Sequence, residues 1–127
     1  MKPVKIVLLS FLAVVAFDAL AGIASQAVGF PYAYAAFGSA LLYILFAWLI
    51  TRSSGFWAAV LLGMAMGLID ASAGWAVSWV IGAGRLPPGT LTVTVWLVTA
   101  VSVVILGTIY GLIGGGIGAI ARRRRAA

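Results

Sequence analysis

The chain holds two acidic side chains, Asp18 and Asp70, and each heads the same five-residue pattern, Asp18-Ala19-Leu20-Ala21-Gly22 and Asp70-Ala71-Ser72-Ala73-Gly74. Both patterns lie inside long apolar runs. Counted along a helix, Asp18 is about 20 Å past Lys5 and Asp70 about 22 Å past Gly55, which puts both near or slightly beyond the middle of a ~30 Å hydrocarbon layer. An ionised carboxylate at that depth costs at least ~3 kcal/mol on insertion scales. Each acid must therefore be protonated, hydrogen-bonded to neighbours or paired with a bound cation, and those are the states through which a proton or cation site cycles.

The rest of the inventory narrows the chemistry. With no Cys, His, Glu or Asn, the chain cannot supply a disulfide, a thiolate or imidazole metal site, a haem axial histidine or a histidine-activated nucleophile. No metal centre, cofactor or enzymatic activity is expected. Of the 127 residues, 65% are hydrophobic and 8% charged, where a water-soluble domain carries about a quarter charged, so lipid is the expected solvent.

Four apolar stretches must position the acids, each near the ~20 residues that a membrane crossing needs. The first runs from about residue 4 to 28 and stops at Gly29-Phe30-Pro31. The second runs from about 33 to 51 and is closed by Arg52-Ser53-Ser54-Gly55, a turn short enough to force an antiparallel hairpin. The third covers about 56–81, followed by the longest loop, and the fourth covers about 91–120 with Thr90 placed to cap it and a basic tail at 121–127. Thirty residues exceed the hydrocarbon thickness, so tilt or a local bend is expected in the fourth, near Thr92-Val93-Thr94-Val95 or Gly114-Gly115-Gly116. Lys2, Lys5, the apolar run 6–17 and Ala19-Leu20-Ala21 also imitate a secretory signal, but the apolar sequence continues to Val28 and reads as a span.

Basic residues set the orientation. Lys2, Lys5, Arg52 and Arg122 to Arg125 fall on one side and Arg85 on the other, so both termini are expected on the cytoplasmic face of a bacterial-type inner membrane. The block Arg122, Arg123, Arg124 and Arg125 reads as a topology determinant and a contact for anionic lipid headgroups, and no nucleic-acid role is expected. Each copy of the repeated pattern enters from the same side, which predicts an all-α, four-helix integral membrane fold built as two parallel-repeat hairpins in one domain.

Helix faces supply the supporting residues. Asp18, Gly22, Ser25 and Gly29 share a face of the first span, with Gln26 beside them. Gly63, Gly67, Gly74, Ser78 and Gly82 stripe the third span next to Asp70, and Gly107, Gly111, Gly115 and Gly118 stripe the fourth. The glycines read as packing seams. Tyr43 and Tyr110 are the phenols placed to approach the acids, with Ser25, Gln26 and Ser78 as possible further ligands, while Phe30, Tyr32 and Tyr34 read as aromatics of the outer interface.

In length and span count the chain resembles small multidrug transporters, in which a carboxylate in the first helix exchanges protons for cationic substrate; the resemblance implies that role for Asp18. Those proteins use glutamate, and Asp70 has no counterpart in their pattern. Gly114-Gly115-Gly116-Ile117-Gly118-Ala119-Ile120-Ala121-Arg122 is similar to the GGxxGAxxR stretch of fluoride channels, where it lies in the first helix and is joined by a pore asparagine; here it closes the last span. The expected function is proton- or cation-coupled movement of a small solute through a transporter or channel subunit, with Asp18 and Asp70 as the binding site and oligomerisation through a glycine face. The alternative is a non-transporting structural or accessory protein that docks a larger membrane partner through those faces.

Overall fold

The structure is a computed structural model that describes residues 1–126, so the end of the tail expected at 121–127, Ala127, lies outside the described residues. The described chain is all-helical, and four of its helical segments are long and apolar enough to cross a membrane. Helix α1 spans Pro3–Val28, with proline in its first turn where a missing N–H costs nothing. A 3₁₀ turn over Tyr32–Tyr34 leads into α2, Ala35–Ser54. The third segment is composite, with α3 over Phe56–Ile69, a π-helical turn over Asp70–Gly74 and α4 over Trp75–Ile81. Helix α5 spans Val93–Ala126.

Local chemistry sets the ends. Gly55 and Gly82, at φ 90° and 106°, take backbone conformations closed to most L-residues and so stop α2 and α4 sharply. The fourth helix differs from the sequence expectation at both ends. Thr90 Oγ1 donates to the Pro87 carbonyl inside the loop, and the cap is Thr92, whose hydroxyl accepts from the Val95 N–H at 3.2 Å. At the other end the helix carries through Gly114-Gly115-Gly116 and the arginine block without interruption. The break in regular α-geometry falls instead in the third span, at Asp70.

Helix α3 packs against α5 and α2, while α1 packs against α2, the π turn and α4, so α1 and α5 flank the α2–α3 pair from opposite sides. The seams are made by absent side chains. A Cβ on Gly111 would stand 2.7 Å from the Ala59 carbonyl, and one on Gly67 2.8 Å from the Val104 Cα, which is backbone-to-backbone contact. Gly63 meets the Gly107 carbonyl, Gly115 meets Ala59 and Phe56, and Gly118 meets Thr51.

Polarity is arranged opposite to a water-soluble domain. Ser10, Asp18, Ser25, Thr51 and Ser78 are buried, whereas Leu12, Leu20, Phe37, Leu41, Leu61, Leu68, Val101 and Ile117 point outward. The buried apolar core is small, with Val14, Tyr43, Ala47, Leu62 and Met66 at its centre.

Candidate functional site

The two acids come from different helices and meet at the π turn. Asp18 lies on the buried face of α1, in line with Ser10, Val14, Ala21 and Ser25, and is 4% exposed. Asp70 is the first residue of the π turn, where one extra residue per turn rotates everything downstream relative to α3. Gly74, the last residue of that turn, holds the acids together. A Cβ there would collide with Asp18 Oδ2 and lie 3.0 Å from Asp70 Oδ1, so the two carboxyls converge on a space that only glycine leaves empty.

Two of the four carboxyl oxygens accept from tyrosine hydroxyls, and the other two face the space at Gly74. Tyr43 of α2 donates its hydroxyl to Asp70 Oδ2 at 2.8 Å, and Tyr32 of the 3₁₀ turn donates to Asp18 Oδ1 at 3.4 Å, a long contact. Asp18 Oδ2 is buried and has no donor among the described residues. A buried acceptor without a donor costs about 1–3 kcal/mol. A single proton between Asp18 Oδ2 and Asp70 Oδ1 removes that cost, and a small cation at the same point does so by charge.

A cavity of about 210 Å³ opens onto the pair. Asp18, Asp70, Tyr43 and Tyr110 form its inner wall, Ser39 and Gly107 line its sides, and Ala33, Ala36 and Leu106, all exposed, form its mouth. That volume is far above the ~10–15 Å³ needed for one water. The walls are otherwise apolar, so charges inside interact more strongly than in water.

The sequence-expected residues divide accordingly. Asp18, Asp70, Tyr43 and Tyr110 share this cavity, with Tyr110 set edge-on to Tyr43 at 6.0 Å between ring centroids. Ser78 stands close by, lining a smaller adjoining cavity with Tyr32 and Asp70, but its hydroxyl bonds the Trp75 carbonyl of its own helix. Ser25 donates to the Phe30 carbonyl and fixes the turn after α1, and Gln26 is exposed near Gly82; neither reaches the acids. Gly22 packs against Ile81 and Ala83, above the site.

Two residues of the site, Tyr32 and Ser39, were not among those the sequence singled out for it. Tyr32 reads as an interface aromatic, but the turn begun by Pro31 folds it back over Asp18. Ser39 was findable, since it stands one turn before Tyr43 on the face that continues to Ala47. The repeated pentapeptide itself takes two conformations, regular α-helix at Asp18–Gly22 and a π turn at Asp70–Gly74, and the two glycines meet unlike partners. The chain matches no protein-family model and is similar to none of the curated proteins or solved structures with which it was compared.

Proposed function

We propose that this chain is an integral membrane protein that couples carboxylate protonation to movement of a small solute or cation, with Asp18 and Asp70 acting as one site. Four apolar helices with leucine and valine outside and serine, threonine and aspartate inside suit a hydrocarbon surround. The bias of basic residues supports cytoplasmic termini in a bacterial-type inner membrane.

One observation carries the coupling. The buried, donorless Asp18 Oδ2 faces Asp70 at the inner end of a cavity whose mouth is exposed, so the missing positive charge can arrive from outside the fold. Two adjacent carboxylates in an apolar wall repel, and the pair therefore takes up either a proton or another cation but gains little from both together. Binding one expels the other. The phenols of Tyr43 and Tyr32 follow the change, each able to keep its hydrogen bond to whichever acid retains charge. The glycine faces of α5, which a docking protein would present to a partner, are filled by α2 and α3 of the same chain.

The reading is tested in proteoliposomes. A proton gradient imposed across wild-type vesicles should dissipate faster when a transported cation is present, and Asp18→Asn or Asp70→Asn should abolish the difference. Equal flux in wild type and in the double variant would refute it.

A further inference from the structure

We propose a second site, at the opposite end of the bundle, that binds the phosphate of an anionic phospholipid and seats one of its acyl chains in the groove between α2 and α5. It rests on the membrane placement proposed above but not on any chemistry of the carboxylate pair. The starting point is the close approach of α2 and α5 at Gly118, where a Cβ would stand 2.8 Å from Thr51 Cβ and 3.2 Å from the Trp48 carbonyl. That contact brings Arg52, in the last turn of α2, beside Arg122 and Arg125, which share a face of α5 at a spacing of three.

Together these arginines line a cavity of about 200 Å³. Arg52 is held by its own helix, with its guanidinium carbon 5.2 Å from the centre of the Trp48 ring four residues earlier. Neither acidic side chain of the protein reaches the cavity, because Asp18 and Asp70 both line the one described above. Three guanidiniums around one space with no acidic side chain among the described residues beside them make a fork-like donor set suited to a phosphate.

The second observation separates a lipid from a free phosphate. Trp48 is also the upper wall of an apolar groove of about 240 Å³ that continues along α2 and α5, lined by Leu41, Ile44, Leu45 and Ile117. From Arg52 down to Leu41 is roughly 16 Å of helix, close to half the ~30 Å hydrocarbon thickness and so the depth of one leaflet. Charge at one end and an apolar channel of leaflet depth below it are the two halves of a phospholipid.

Native mass spectrometry of the detergent-solubilised full chain, with phosphatidylglycerol, phosphatidylcholine or glycerol phosphate added, tests this. Phosphatidylglycerol should be retained in preference to phosphatidylcholine. Arg52→Gln combined with Arg122→Gln should weaken retention at least about tenfold, the equivalent of ~1.4 kcal/mol. Arg123→Gln with Arg124→Gln removes as much charge outside the cavity and should change it less than about twofold on the same scale. Ile117→Trp, which fills the groove, should weaken phosphatidylglycerol and leave glycerol phosphate untouched. Equal losses in the two arginine pairs would mean diffuse attraction and overturn the site; displacement of the lipid by millimolar glycerol phosphate would make it a free-phosphate site and overturn the lipid. Asp18→Asn should leave retention unchanged, so failure of the transport reading and failure of this one give different results.

Discussion

Replacing Asp18 with asparagine should make the protein more stable while silencing it. The substitution keeps shape and gives the side chain an amide donor, placed where Asp18 Oδ2 now lies buried without a partner opposite Asp70 Oδ1. Supplying a donor to a buried acceptor recovers about 1–3 kcal/mol. When the wild-type pair carries no proton a second contribution adds to this, because two unit charges ~4 Å apart repel by ~4 kcal/mol at an effective dielectric of ~20. When the pair shares a proton, neither cost is present. The stabilisation is therefore a property of the unprotonated pair and vanishes when the two carboxyls share a proton. The five tryptophans make thermal unfolding in lipid nanodiscs easy to follow by fluorescence. At roughly 2–8 °C per kcal/mol for domains of this size range, the variant should melt several degrees above wild type where the pair is unprotonated and level with it where the pair shares a proton. Proton-coupled flux should be lost at both. A variant that melts lower than wild type at every pH would refute the reasoning, since it would mean that Asp18 already has all the partners it needs.

Three further outcomes follow from the same geometry. Tyr43→Phe removes the 2.8 Å donor to Asp70 and should cost about 1.5–3 kcal/mol in the wild-type background but only about 1 kcal/mol with Asp70→Asn, a difference read from paired melting curves. Gly111→Ala should destabilise by about 1–3 kcal/mol because its Cβ meets the Ala59 carbonyl, whereas Gly116→Ala, with nothing within 4 Å, should gain up to about 1 kcal/mol of helix propensity; equal melting temperatures for the two would contradict the packing described. Deleting Ala73 should remove the extra residue that the π turn absorbs and join α3 and α4 as one α-helix, with both the α3–α5 seam and the α1–α4 contact kept, so that the thiol in a Ser78→Cys background stays protected from a cysteine-reactive probe.

The all-helical fold and its punctuation were open to reading because they rest on local chemistry: prolines, positive-φ glycines and runs of apolar residues of membrane length. The two acids and Tyr43 were also visible, since buried polar groups in an apolar chain must find each other. The path of the third span was not. Gly63, Gly67 and Gly74 fall within about 40° on an ideal helix and read as one stripe for one partner. In the fold Gly63 and Gly67 meet α5, while Gly74 meets Asp18 on α1. The π turn divides the stripe, and nothing in Asp70-Ala71-Ser72-Ala73-Gly74 distinguishes it locally from the same pattern at Asp18, which stays α-helical. What tips the second copy is tertiary, since α3 must satisfy α5 on one side and α1 on the other within a single span. Thr92 displaced Thr90 as the cap for a similar reason, because the turn at Pro87 occupies the Thr90 hydroxyl first.

Arg85 sits in the loop after α4 and is folded back onto that helix, with Nε 2.9 Å from the Trp79 carbonyl and Nη2 3.3 Å from that of Val80. Its charge is spent on the negative end of a helix dipole. On the proposed topology a cation diffusing toward that face would meet little repulsion, while the opposite face would carry seven positive side chains. Under the proposed transport reading, inward and outward fluxes should respond unequally to ionic strength, with the outer step nearly indifferent to salt and the inner one sensitive to it.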